Sequence, residues 1–275
     1  MNRLQATELE LLKCAIDICN KLNLKYFLVC GSALGAVKYK GFIPWDDDID
    51  LGLLREDYEV FLREAPSLLP KHIFLQNCYT EKKYPLIISK LRNSNTTYIE
   101  KDVQNFDMHH GVFIDIFPID GYPSDAKMQK KLEKIKKRSW LKRSCDYYMP
   151  KDWHKARIKA FWFRLLGYSK KTSRLSRELD KFLSSFPTAT SEIWCNHGNW
   201  QGKLEYAPRW HYGDGIEAEF EGLKVIIPEN YDAYLTQKYG DWRSDPPEDK
   251  KEGHHYYTVC DLEKPYTEYV KKSQI

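Results

Sequence analysis

The sequence predicts an α/β fold, a mixed sheet with helices packed on it, from three observations. Residues 26–30 (YFLVC) are a short apolar, β-branched and aromatic run that Gly31 and Ser32 interrupt before residues 33–38 resume as a helix. Residues 48–51 alternate polar and apolar, so Asp48 and Asp50 share one strand face while Ile49 and Leu51 point to a core. Residues 112–117 (VFIDIF) read as a buried strand.

The elements follow in order. Thr7 and Glu10 predict a capping box before an amphipathic helix that turns Leu11, Leu12, Ala15, Ile16, Cys19 and Leu22 inward. The strand at 26–30, the Gly-Ser turn, the helix at 33–38 and the acidic strand come next. Residues 56–65 predict a helix with Tyr58, Phe61 and Leu62 inward, ending near Pro66. Residues 85–92 and 96–99, separated by Asn93, Ser94 and Asn95, read as a hairpin. Asp120, beside Gly121 and Pro123, reads as a turn residue. A second hairpin, 217–220 with 223–227, is joined through Glu221 and Gly222, and a helix at 229–239 stops at Gly240.

The chemistry concentrates where a small-residue turn precedes closely spaced carboxylates (31–35, GSALG; 43–52, IPWDDDIDLG). Backbone amides at such a turn suit a phosphate, which nominates Gly31 and Ser32. Carboxylates side by side repel unless a cation lies between them. Asp46, Asp48 and Asp50 match the first three ligand positions of a calcium loop, but its sixth and twelfth positions need Gly and Glu and hold Leu51 and Asp57, so calcium is disfavoured. Asp115, costly within so apolar a strand unless paired or metal-bound, is the expected partner of Asp48 and Asp50. Lys90 and Arg92 project to one strand face as candidates for a diphosphate, with Lys38 and Lys40 similar candidates nearer the acids. Adjacent histidines at 254–255 point opposite ways on a strand and make a poor joint metal site, leaving one, His254, for phosphate or acceptor; His109 and His110 are weaker candidates. Trp210 and Tyr212 close an aromatic segment beginning at 194 and are candidates for a cage around a quaternary ammonium.

Composition bounds the rest. At 275 residues and 42% hydrophobic content the chain can bury a full core. Seven cysteines without a C-x-x-C pair predict a reduced compartment. No signal-like apolar stretch opens the sequence, and no segment approaches the ~20 apolar residues of a membrane span, so a cytoplasmic protein is expected. Net charge is +4, yet 127–143 is strongly basic and 160–166 adds an apolar, aromatic patch, a combination suited either to an anionic membrane surface or to a solvated helix beside a core helix. Nucleic acid is the weaker option and is not expected as a partner, since the basic run lacks a recognition motif and the overall charge is modest.

A Gly-Ser turn, a D-x-D on the next strand and a third strand-borne aspartate resemble the nucleotidyltransferase-like superfamily. More closely, 31–52 (GSALGAVKYKGFIPWDDDIDLG), 90–96 (KLRNSNT), 109–123 (HHGVFIDIFPIDGYP) and 220–255 resemble the LicD family, whose members include phosphocholine transferases and the fukutin-related phosphoribitol transferases. The resemblance spans residues 20–255 and implies a single LicD-like catalytic domain: a nucleotidyltransferase-like core at 6–122, a helical basic insertion at 124–190 and a C-terminal part at 191–275. It further implies transfer of a phospho-alcohol from a CDP-linked donor, CDP-choline being favoured, to a hydroxyl of a glycan or lipid-linked oligosaccharide, with CMP leaving. The all-oxygen donor set of Asp46, Asp48, Asp50 and Asp115 suits Mg²⁺, with Mn²⁺ the alternative; with one ion bound Asp115 is the expected general base, and with two the second would lower the pKa of the acceptor hydroxyl. Phosphoribitol or phosphoglycerol transfer, an NTP-dependent nucleotidyltransferase, and a non-enzymatic glycan-binding protein are the rivals; the intact aspartate set argues against the last.

Overall fold

The computed structural model describes residues 1–147, 154–199, 201–251, 253 and 255–270. Helix α1 (Arg3–Leu22) begins earlier than predicted because Asn2 and Gln5 form the reciprocal capping box, each side chain accepting the other's backbone N–H at 2.9 Å. Thr7 instead donates to the Arg3 carbonyl within the helix. Then come β1 (Tyr26–Leu28), α2 (Cys30–Tyr39), β2 (Asp50–Leu54), α3 (Arg55–Leu68), β3 (Ile73–Gln76), β4 (Ser89–Asn93), β5 (Thr97–Glu100) and β6 (Val112–Gly121). The remainder holds α4 (Ala126–Arg143), α5 (His154–Leu165), α6 (Thr172–Leu183), β7 (Ile193–Cys195), β8 (Tyr206–Pro208), α7 (Arg209–Tyr212), β9 (Ile216–Phe220), β10 (Leu223–Ile227), α8 (Tyr231–Tyr239) and β11 (Tyr257–Asp261).

The fold class is α/β, as the periodicities predict: a mixed sheet in the order β1-β2-β6-β4-β3, extended by β7 and β8 from the end of β6. Strands β2 and β6 run parallel, and β1, β4 and β3 add antiparallel neighbours. Period two decides the two faces. Tyr26, Leu28, Leu51, Leu53, Ile114 and Ile116 pack under α1 and α3 in the larger core. Phe27, Phe117 and Ile119 face the other way, against Trp194, Tyr212, Tyr234 and Leu235.

Three local expectations change. The segments either side of Asn93–Thr96 are not hairpin partners: β4 lies between β6 and β3, whereas β5 pairs with β11 from the far end of the chain. A tight turn, closed by the Thr96 hydroxyl on the Asn93 carbonyl at 2.8 Å, sends the chain from one sheet to another, and turn chemistry alone does not say which strand lies alongside. Asp120 is no turn residue but the ninth residue of β6, fully buried. Helix α3 continues two residues past Pro66. The hairpin of β9 and β10 forms as read, with Glu221 (φ 48°) and Gly222 (φ 76°) both in the left-handed region that matches strand twist.

Among the described residues no helix is long and apolar enough to cross a membrane.

Candidate active site

The parallel pairing of β2 and β6 sets Asp50 directly opposite Asp115. Two contacts hold this register at the crossing: the Asp115 N–H donates to the Ile49 carbonyl at 2.9 Å, and the Asp50 N–H donates to the Ser32 hydroxyl at 2.8 Å. Asp46 and Asp48 approach from the loop before β2, since the strand starts at Asp50 rather than Asp48. All four carboxylates line one cavity of about 450 Å³, together with Lys90, Glu100, His255, Trp45, Tyr239 and Asn199.

Gly31 lies in the first turn of α2, which begins at Cys30, so its amide has no acceptor within the helix. A Cβ here would fall 2.6 Å from Asp46 Oδ2, which is why the Asp46 carboxylate can lie flat against the turn only over glycine. Ser32 is buried and spends its hydroxyl oxygen on Asp50, so its contact in this structure is to the acidic strand rather than to an outside anion.

The electrostatics are those of crowded, desolvated acids. Burial, then Asp48, Asp115 and Asp46, push the Asp50 carboxyl well above the usual carboxylate range. Asp46 is raised likewise by burial and by Asp48 and Asp47. Two cations offset part of this charge. Lys90, 2% exposed, sits 2.8 Å from Asp115, 3.4 Å from Glu100 and over the Phe113 ring. His255 reaches Asp48 at 2.9 Å through Nε2 and Glu100 at 3.6 Å through Nδ1. Burial opposes the imidazolium, but Asp48 and Glu100 outweigh it and raise the His255 pKa well above its ordinary value. Glu100 itself is held well below its usual range, burial being overcome by Lys90, His255 and Arg92.

The oxygen-rich donor set fits a hard divalent cation, because Asp46 and Asp50 lack a cation of their own among the ion pairs described here while Asp48 and Asp115 share theirs. Among the described residues Asp47, Asp48 and His255 also form a group that could hold a metal ion, each offering one ligand atom within 4.8 Å of the others.

The remaining candidates fall in other places. Arg92 is fully buried behind the cavity, bonded to Gln76 at 2.5 Å, the Gly111 carbonyl at 2.7 Å and Glu100 at 2.8 Å, so it braces Glu100 and does not reach the cavity wall. Lys38 pairs with Asp245 at 2.5 Å in a neighbouring cleft, and Lys40 lies at the end of α2, 3.9 Å from Glu219. His254 lies outside the described residues. His109 and His110 are buried, His109 stacked on Phe74. Trp210 and Tyr212 form no cage: Tyr212 is 1% exposed inside the core between Phe27, Trp194 and Tyr234, and Trp210 is exposed on His211 away from the acids. Their spacing on the one-turn helix α7 turns one inward and the other outward.

Sequence reasoning passed over Glu100 and, of the histidine pair at 254–255, put forward His254 rather than His255. Glu100 is an isolated acid at a strand end and carried no signal. The pairing of β11 with β5 is what brings His255 beside it. Glu8 was also missed, a carboxyl 3% exposed, raised by burial and by Asp48 and Asp47. Its signal was legible, an acid on the core face of α1 one turn before Leu12.

Acids from two adjacent parallel strands facing a cavity beside a helix N-terminus define the class, an α/β domain of nucleotidyltransferase type. Residues 23–156 match the family model for the nucleotidyltransferase domain of LicD, FKTN and FKRP. It is 28% identical over 246 residues, 86% of this chain and 89% of the relative, to the lipopolysaccharide cholinephosphotransferase LicD of Haemophilus influenzae. It is 32% identical over 146 residues to the uncharacterized protein RP689 of Rickettsia prowazekii, covering 52% of this chain and 49% of that one.

Proposed function

We propose that this protein transfers phosphocholine from CDP-choline to a hydroxyl of a cell-surface glycan or its lipid-linked precursor, releasing CMP. The observation that carries the reading is the register of Asp50 against Asp115 over an acid-lined cavity, in a chain similar along most of its length to a cholinephosphotransferase. Asp46, Asp48, Asp50 and Asp115 would hold Mg²⁺, or Mn²⁺, which supplies neutralisation of the donor's phosphates and of the departing CMP. The chain's own groups do the rest. The acceptor oxygen forms the new P–O bond as the bond to the CMP oxygen breaks, and Asp115, steadied by Lys90, takes the hydroxyl proton. The positive charge of Lys90 and His255, and the first-turn amide of Gly31, lie where donor phosphate oxygens would rest.

The test offers the protein CDP-choline, CDP-ribitol, CDP-glycerol or an NTP with glycan acceptor and Mg²⁺. Acceptor-dependent CMP release with CDP-choline is expected; pyrophosphate release from an NTP would overturn the reading.

A peripheral position on an anionic membrane accompanies it. Residues 126–171 carry 16 Lys and Arg against 3 Asp and Glu, in a chain whose totals are 43 and 39. On α5 and the residue after it, Ile158, Phe161, Trp162, Leu165 and Leu166 recur at the spacing of one helical face and are 59–64% exposed. The protein is expected to sediment with vesicles containing anionic lipid at low salt, to be released as salt rises, and to lose that binding when Phe161 and Trp162 are changed to Ser. Equal sedimentation with neutral vesicles would remove the membrane from the picture.

A further inference from the structure

Beside the acid cavity lies a second cleft, about 380 Å³, walled by α2, the loop before β2 and the residues after α8. Leu34, Ile43, Trp45 and Tyr239 line both spaces, so the two meet at a common wall, and Trp45 is the residue immediately before Asp46. Four aromatic side chains face the cleft: Tyr39, Trp45, Tyr239 and Trp242. Tyr39 and Trp45 meet edge to face at 6.1 Å between centroids. Asp241 and Asp245 stand at the rim, Asp245 between Lys38 and Lys251.

We propose that this cleft is the subsite for the donor's quaternary ammonium group, with the diphosphate lying across the shared wall at the aspartates. The inference rests on the CDP-choline reading and gives it a location that Trp210 and Tyr212 do not provide. Two observations favour this ligand over a polyol. First, both acids of the cleft are already engaged within it: Asp245 takes Lys38 at 2.5 Å and the Tyr39 hydroxyl at 2.8 Å, and Asp241 takes the Ser244 hydroxyl at 2.6 Å. A trimethylammonium donates no hydrogen bond through its methyl groups and needs only π-faces and nearby negative charge, whereas ribitol or glycerol needs uncommitted donors and acceptors. Second, the cleft already attracts a cation. The Lys251 ammonium lies 5.0 Å from the centre of the Trp45 ring and 3.5 Å from Asp245, so ring and carboxylate together hold positive charge beside the acid cavity.

The experiment measures affinity for CDP-choline, for CDP, and for the CDP ester of 3,3-dimethylbutanol, whose carbon replaces the choline nitrogen, in the Mg²⁺-loaded full chain. The wild type should bind CDP-choline more tightly than its neutral isostere. Trp45→Leu and Trp242→Leu should each reduce that preference by roughly 2- to 30-fold, the range of one aromatic face, and Trp242→Leu, which lies outside the acid cavity, should leave CDP affinity in place. Asp245→Asn, an exposed charge-only change, should reduce it in the same direction and covers the case in which a tryptophan variant fails to fold. An undiminished preference in Asp245→Asn and in the folded tryptophan variants, or no preference in the wild type, would overturn the cleft assignment. CMP release from CDP-choline is read in the same samples: its absence in the wild type sinks the transferase reading, while its presence alongside an undiminished preference sinks the cleft alone.

Discussion

Asp115 and Asp120 lie on the same strand, β6, at an odd spacing that turns them to opposite faces, and both are buried. Asp120 meets a matched partner. The Arg55 guanidinium grips it through Nε at 2.6 Å and Nη2 at 3.1 Å, and reaches Asp180 through Nη1 at 2.9 Å. Asp180 in turn accepts the Tyr79 hydroxyl at 2.8 Å. Burial opposes the Arg55 charge, but Asp120 and Asp180 outweigh it and raise its pKa above the ordinary value. Asp115 meets instead another carboxylate, Asp50, across the strand pair, with Lys90 shared between it and Glu100. A cleft of about 470 Å³ also lies over Arg55 and Asp180, so cavity size does not separate the two regions; the state of the charges does. Where each buried charge has a directed partner the cluster fixes structure, and where acids face acids the cluster is left for a charge from outside.

The same substitution on each side tests the contrast. Asp120→Asn should cost about 3–5 kcal/mol of stability, the scale of breaking a buried, bonded ion pair, with little change in activity per folded molecule. Urea unfolding measures it, and a cost under about 1 kcal/mol would mean that Arg55 is content with Asp180 alone. Asp50→Asn should do the reverse. Activity should fall about 10²-fold or more, while the thermal midpoint without metal holds or rises, because one of several mutually repelling carboxylates has been neutralised. A midpoint lowered as far as in Asp120→Asn would make Asp50 a structural residue.

A smaller effect comes from a third kind of buried group. His109 accepts the Gly111 N–H at Nδ1 and contacts the Ser94 hydroxyl at Nε2, both at 3.0 Å, which fixes a neutral ring. Burial, with Arg92 and His110 adding to it, lowers its pKa from 6.5 to about 3. The unfolded chain therefore binds a proton below pH 6.5 that the folded protein refuses, and stability falls as the pH drops through that window. Between pH 6.5 and 5 this one residue should account for about 2 kcal/mol. Denaturation of the wild type and His109→Gln at several pH values reads it as the difference in slope; parallel curves would refute it.

The acids show how far the sequence reached. Alternation around Asp50 and Asp115 marked their strands, because period two and the cost of an acid in an apolar run are local properties, whereas Asp48, read onto the strand of Asp50, lies in the loop before it. Asp120 looked like a turn residue beside Gly121, since nothing nearby announces Arg55 or Asp180. Lys90 and Arg92 share a strand face by sequence, yet Lys90 reaches the cavity wall while Arg92 is consumed behind it by Gln76, Gly111 and Glu100.

The sequence by itself determined the α/β alternation, the strands that carry Asp50 and Asp115 and the basic character of 127–143, each set by spacing or side-chain chemistry within a few residues; it placed Gly31 and Ser32 in a turn before α2, whereas they lie in its first turn. Only the tertiary structure decided that β5 pairs with β11 and so delivers His255 to Glu100, that Tyr212 is core, and that Trp45 and Tyr239 wall two adjoining spaces. Strand neighbours and cavity walls are chosen by burial and charge balance summed over the whole molecule, and contacts between residues 100 and 255 leave no periodicity in the chain between them.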